Sequence, residues 1–416
     1  MTPIRAATHA ASRAAARAAV RASAALTAAV LVVPLLSSPT GAVTVRESFT
    51  VPATGSFTIV GHGFGHGHGM SQYGANGAAR RGVRHGRILA FYYPGTTLAK
   101  TAGWLRVRIT DHTSSDLVVL AQPGLVLRDR ATRKDYPLPG SIGATRWRLS
   151  VSGTKTVVDY KTAVWHRYRP GGLATLKGDG TFRAPSGKLT LVMASGNRVY
   201  RDRLSAISPV AGSSKRVAVN SVTLEHYVKG VVPAEMPASW SPQAVQAQAV
   251  AARTYAWWSR AQAPDRYYQI CDTSSCQVYK GYGGEHPAAN TAVDATRGQI
   301  LTYGGRPAFT QFSASSGGRT SAGGAPYLPS KGDPYDAWSG NPFHSWSVKV
   351  SESKLEKRYP GIGDLKRIKV TSREGGGDWN GRVGNVTLVG GRASKVVTGS
   401  DLRSIYGLRS TYFTFR

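Results

Sequence analysis

Three histidines, His62, His66 and His68, stand among alternating glycines in GHGFGHGHGMSQYGANGAARRG, residues 61–82. Imidazole is the commonest zinc ligand and three can make a catalytic site, so the H-x3-H-x-H spacing is compatible with metal chemistry. A metal needs its ligands held by a second shell, however, and alternating glycines leave the backbone floppy. The other reading is a tight loop, glycine-lined so that backbone packs closely, with the histidines as polar contacts. A second candidate lies in VVPAEMPASW, where Glu235 is wedged between Pro233 and Pro237 amid Val231, Val232, Met236 and Trp240. Apolar surroundings penalise a carboxylate, raise its pKa and leave a proton to donate near neutrality, which a general acid requires. In WSPQAVQAQAVAARTYAWW, Gln246 and Arg253 are seven residues apart. That is two helical turns, so they project from one face. Arg253 then either lines a cleft or snorkels to solvent. An S-x-x-K run at Ser351 to Lys354 lacks the companion signatures of penicillin-recognising enzymes and is set aside.

The elements that must position these groups follow from pattern. SFTIV reads as a strand leading into the glycine stretch, followed by a helix from about Gly77 to Tyr93. Across residues 101–212, short alternating runs (WLRVRIT, LVLRD, RWRLSV, TVVDY, KLTLVM) are separated by Gly, Pro, Asp and Ser, the mark of a β-rich module. From 217 onward, helical segments at 223–232, 242–260 and 287–297 alternate with strands such as GQILTY, AFTQFSAS, RIKVTS and NVTLVG. Ser241 reads as the N-cap of the second helix, with Pro242 at its first position. The pattern predicts an α+β fold in three parts: a segment 43–100 bearing the glycine motif, a β-rich side module 101–212, and a mixed α/β core 213–416.

Residues 1–42 read as a signal peptide. Arg5, Arg13, Arg17 and Arg21 precede the apolar run ALTAAVLVVPLL, and PTGA offers a cleavage site after Ala42. A transit peptide is also Arg-rich and acid-poor, but the compact apolar run favours secretion. No later segment has the roughly 18 to 20 continuous apolar residues of a membrane helix. The formal net charge is +31, and only four of those charges belong to the leader arginines. So basic a chain implies an anionic partner. An exported protein rarely meets nucleic acid, and its basic residues are scattered singly rather than clustered with stacking aromatics, so nucleic-acid binding is excluded in favour of anionic cell-wall polymers. The two cysteines, Cys271 and Cys276, sit in CDTSSC, and an exported compartment permits their oxidation.

Taken in order, VVPAEMPASW, AVQAQAVAARTYA, DTSSCQVYKG and FSASSGG resemble the stage II sporulation protein D family, which includes the LytB-like amidase enhancers. The resemblance covers roughly residues 190–416 together with the opening glycine stretch. It implies a secreted, peptidoglycan-directed protein whose enzymatic relatives are lytic transglycosylases that prefer glycan stripped of peptide stems. The family's catalytic glutamate matches Glu235 and its motif arginine matches Arg253. Glu235 would protonate the glycosidic oxygen, then take the proton of the muramic acid 6-hydroxyl as it attacks the anomeric carbon, giving an anhydro sugar. Arg253 would hold the lactyl carboxylate or tune Glu235. His66, Gln72, Gln246, Gln277, Tyr279, Ser315 and Ser316 are the expected sugar contacts; turn and strand structure is the competing role for the last four. Where the family usually has lysine this chain has Gln246, so any charge role there is absent.

Family members carry GxGHGxGMSQxGA and IL-x-x-YYPGT near their C-terminal end. Here GFGHGHGMSQYGA and ILAFYYPGT precede the core, and the chain runs to DLRSIYGLRSTYFTFR, about where the glycine motif would begin. The order is that of a circular permutation, so residues 56–98 are expected to fold back and complete the cleft. Only His66 matches the family histidine, which makes a three-histidine zinc site the minor reading. Some family members also bind zinc through cysteines and a histidine in the loop matching Cys271 and Cys276. Export favours a disulfide here, with zinc ligation the alternative and no other cofactor expected. The competing function is a non-enzymatic peptidoglycan-binding protein that stimulates an amidase partner.

Overall fold

The computed structural model describes residues 42–416, so the expected leader, apart from Ala42, lies outside the described residues. The fold is α+β. Its largest sheet has eleven strands, and its central path runs Gly180–Val192, Arg198–Ile207, Val217–Thr223, Trp104–Arg108 and Ile270–Cys271. All of these pairings are antiparallel except the last, where Ile270 pairs with Val107 and Cys271 with Arg108 in parallel. The boundary expected at residue 212 is therefore not a break in the sheet. Val217–Thr223 pairs on one side with Arg198–Ile207 and on the other with Trp104–Arg108, so the β-rich run is continuous with the helical region.

Five helices pack around the site: α1 (Gln72–Arg80), α2 (His85–Tyr92), α3 (Leu224–Glu235), α4 (Pro242–Gln262) and α5 (Pro287–Ala295). The single helix expected from Gly77 to Tyr93 is two. The chain leaves α1 at Arg81 and turns at Gly82, whose φ of +79° is left-handed and favours glycine. Ser241 occupies the N-cap of α4 and Pro242 its first position, but the Ser241 side chain makes no capping bond; its amide donates instead to Asn76 Oδ1 at 3.2 Å. Of AFTQFSAS only Phe312–Ser313 is strand. The amide of Phe309 donates to Tyr327 Oη, and those of Thr310 and Gln311 to carbonyls two residues back, so no ladder forms there.

Two hydrophobic clusters divide the buried core. One joins α1 to α5 with the large sheet, from Met70 to Leu328. The other comprises Val51, Phe57 and Ile59 with Val350, Ile368, Val386, Leu402 and Phe413 among others. Val43–Thr50 pairs with Leu365–Arg373, and Ser56–His62 lies between Ser345–Ser351 and Phe413–Phe415. Residues before the glycine stretch thus pack with the last seventy, while those after it pack with α4. Among the described residues no helix is long and apolar enough to cross a membrane.

Candidate functional site

Glu235 is the last residue of α3. Pro233 has no amide to continue the helix, and Pro237 forces Met236 out of the helical region, to φ −139° and ψ 135°. The carboxylate therefore projects from a helix end into a pocket of about 270 Å³ that it shares with His66, Tyr255, Gln277, Gln311 and Phe312. The Val278 amide donates to Glu235 Oε1 at 2.9 Å, while Oε2 has no hydrogen-bond partner among the described residues. Burial pushes the Glu235 pKa up, and the Val278 bond only partly opposes it. The result is a carboxyl with one oxygen fixed and the other free to present a proton to the cavity. Among the described residues no other carboxylate lines this pocket.

The main chain of Glu235 is held as well. Gln72, buried in the first turn of α1, donates Nε2 to the Glu235 carbonyl at 2.9 Å. Helix α1 is in turn fixed at its cap. Ser71 Oγ accepts from Gly74 N at 3.0 Å and donates to Asp336 Oδ1 at 2.7 Å. Asp336 is fully buried and also accepts from Ser315 Oγ, the Ser316 and Gly317 amides and Asn341 Nδ2. These bonds and His344 hold its pKa down despite burial. Its neighbour Asp333, facing the Asp336 charge in the same dry surroundings, is raised to about 6.

The alternating glycines do not leave a loose loop. Gly67 and Gly69 have φ of +80° and +65°, and a Cβ would collide with the Arg382 guanidinium at the first and with the Gln311 carbonyl at the second. Close approach, not flexibility, is what the glycines provide. The loop delivers His66 to the pocket. Although exposed there, its ring is flanked by protein, stacks on His68 at 4.8 Å and accepts from the His68 amide at 2.9 Å. Desolvation, then His68 and buried Arg382, lower its pKa to about 4, so it is a neutral imidazole near neutrality. His62 points elsewhere. It stacks on Trp379 at 4.7 Å and approaches Asp378 at 3.2 Å, so the three histidines do not converge.

The expected site residues thus separate. Glu235, His66 and Gln277 share the pocket. Gln277 is fixed there by Tyr227, whose hydroxyl donates to its Oε1 at 3.1 Å. Arg253 does not line it. This guanidinium is fully buried, its Nε and Nη2 on the two Glu225 oxygens at 3.0 and 2.8 Å and its remaining N–H groups on the Gln299, Val293 and Ala249 carbonyls. It neither holds a substrate carboxylate nor snorkels. It ties α4 to α3 and to the end of α5. Gln72 acts through the Glu235 backbone rather than on a sugar, and Ser315 and Ser316 are buried on Asp336 and Asp333. Tyr279 is buried, donating to Asn220 Oδ1 at 2.7 Å, and Gln246 is half-buried outside the pocket lining.

Tyr255 was not among the expected contacts. It lies two residues beyond Arg253, lines the pocket and has its pKa raised by burial and by Glu235. In an alanine-rich helix a tyrosine reads as core, and only the facing carboxylate marks it out. Ser274, Ser275 and Cys276 close the other wall. Cys271 and Cys276 form a disulfide. In that bond each sulfur is used on the other, so neither is a thiolate ligand for zinc while the bond is closed.

Comparison with known proteins agrees with the sequence motifs. Residues 213–303, which include α3, α4, α5 and Glu235, match the family model described as Stage II sporulation protein, and the chain is thereby recognised as related to that family. It is 32% identical over 220 residues to stage II sporulation protein D of Bacillus amyloliquefaciens, covering 48% of this chain and 62% of that one. It is 41% identical over 110 residues to the amidase enhancer of Bacillus subtilis, covering 25% of this chain and 15% of that one. An uncharacterised protein of Brachyspira hyodysenteriae is 40% identical over 107 residues, 26% of this chain and 29% of the relative. The chain therefore spans less than two thirds of the length of each of these relatives.

Proposed function

We propose that this protein acts on the bacterial cell wall, cleaving peptidoglycan glycan strands as a lytic transglycosylase with Glu235 as its general acid and base. The observation that carries the reading is a pocket with a single carboxylate, raised in pKa and with one oxygen free. Glycosidases that use water work with two carboxylates, one as acid and one as base or nucleophile. A transglycosylase needs one. Glu235 gives its proton to the glycosidic oxygen as the bond to the anomeric carbon breaks. The resulting carboxylate then takes the proton of the sugar's own 6-hydroxyl as that oxygen closes on the same carbon, and no water is consumed. Neutral His66 would hydrogen-bond a sugar hydroxyl and the Tyr255 ring would offer an apolar face beside it, while buried Gln277, tied to Tyr227 and to the Ala252 carbonyl, shapes the wall.

The relationship to stage II sporulation protein D and to an amidase enhancer supports a cell-wall role, and the basic charge suits an exported protein among anionic wall polymers. The amidase enhancer also supports a second reading, a wall-binding protein that stimulates an amidase without cleaving glycan itself. Mass spectrometry of purified glycan strands after incubation with the protein alone separates the two. Anhydro-terminated fragments that disappear in Glu235→Gln are expected for the transglycosylase. No release by wild type, with stimulation of an added amidase, establishes the other.

A further inference from the structure

A second cavity, of about 550 Å³, shares Val278 with the Glu235 pocket and lies along the same 272–280 segment. Its charged lining is balanced in sign, Asp111 and Asp272 against Arg198 and Lys280, although the chain as a whole is strongly basic. Arg198 Nη2 meets Asp111 Oδ2 at 2.7 Å, which leaves other guanidinium N–H groups for a ligand. Asp272 is 7% exposed. Its Oδ1 is taken by the amide and hydroxyl of Thr110, while its Oδ2 accepts no hydrogen bond among the described residues. Lys280 is exposed and has no ion-pair partner among the described residues.

An anion alone would meet Asp111 and Asp272 here, and a cation alone would meet Arg198 and Lys280. A ligand carrying both signs within a few ångströms satisfies all four. We infer that this pocket binds the zwitterionic α-ammonium carboxylate end of an amino acid, its carboxylate on Lys280 and Arg198 and its ammonium toward Asp272 Oδ2 and Asp111. The volume is in the range of small-molecule sites.

Titration of the full chain with norleucine, followed by ligand-observed NMR or calorimetry, tests the chemistry. Binding is expected near ~1 mM, with pentylamine and hexanoate, which each lack one charge, at least about tenfold weaker. Lys280→Ala, at an exposed position, and Arg198→Ala, with folding checked by circular dichroism, should each weaken norleucine about tenfold. No norleucine binding, equal binding of either control, or binding unchanged in both variants overturns the site. The titration does not read catalysis, so a failure to release anhydro sugars leaves the site intact.

Discussion

Burial raises the Glu235 pKa and a single amide bond from Val278 opposes it, so the protonated acid persists above the pH at which an exposed glutamate would be ionised. Activity that needs this proton should fall as pH rises through the raised pKa. His66, already neutral above about 4, adds no charge change on that limb. Removing the proton donor with Glu235→Gln should lower glycan cleavage by about 10²- to 10⁴-fold in rate assays while strand binding persists. Stability has its own sign. A carboxyl whose folded pKa exceeds its unfolded value loses stability as pH rises between the two, so Glu235→Gln should melt higher than wild type at about pH 8 and lose that advantage below about pH 4. Arg253 calls for a different expectation. Arg253→Ala leaves Glu225 partly buried without its cation, which should cost about 3–5 kcal/mol in denaturant unfolding with little change in KM. A rise in KM at unchanged stability would restore it as a substrate clamp. The roles of these two residues were unequally legible. Prolines on both sides announce how Glu235 leaves its helix. Helical spacing gives the face of Arg253 but not the Glu225 carboxylate, twenty-eight residues away in sequence, that closes over it.

At the scale of elements, the glycine loop and the 271–280 segment are the two walls of the pocket, and both are held by constraints that a substitution can remove. Gly69→Ala must move the Gln311 backbone, which borders the pocket, whereas Gly82→Ala meets open space at a similar φ. Gly82→Ala should therefore cost about 1–2 kcal/mol, the price of the left-handed conformation alone, and leave activity intact. Gly69→Ala should cost more and should also impair cleavage, as thermal melts and turnover measured together would show. On the opposite wall, replacing Cys271 and Cys276 by serine opens a short loop, for which about 2 kcal/mol of stability should be lost. Because the Val278 amide lies just beyond that loop, the same change should also loosen its bond to Glu235 and lower turnover. The motifs marked both walls in the sequence. They offered a loose loop and a tightly packed one and could not choose, because positive φ and close approach depend on the Gln311 and Arg382 regions, more than two hundred residues downstream.

For the molecule as a whole, the α+β class was legible from alternating and helical periodicities, but the division into parts was not. A β-rich run ending at 212 looks separable until Trp104–Arg108 pairs with Val217–Thr223, a long-range choice that local pattern does not encode. The charge was legible and has a whole-molecule consequence. Attraction to anionic wall polymers acts between exposed charges, so sedimentation with isolated walls should weaken steeply between low salt and about 1 M, where screening is nearly complete. The order of segments gives the last expectation. The circular permutation expected for the displaced glycine motif rests on the resemblance alone; in the fold, Phe413–Phe415 pairs with Ser56–His62, and Arg416 and Thr58 exchange both backbone hydrogen bonds, at 2.8 and 2.9 Å. A chain opened in the exposed turn near Val210 to Gly212, with Arg416 joined to Val43 through a flexible linker of roughly 15 residues, would carry the motif after the core. It breaks no strand pairing and cuts into neither hydrophobic cluster. Such a permutant should fold cooperatively, melt within about 2–4 °C of the parent, the upper range expected for the loss of about 1 kcal/mol in a large domain, and retain cleavage. Loss of folding in the permutant, with the same linker tolerated as an insertion in the same turn of the parent, would show that the present order of segments is required and not merely one of two equivalent orders.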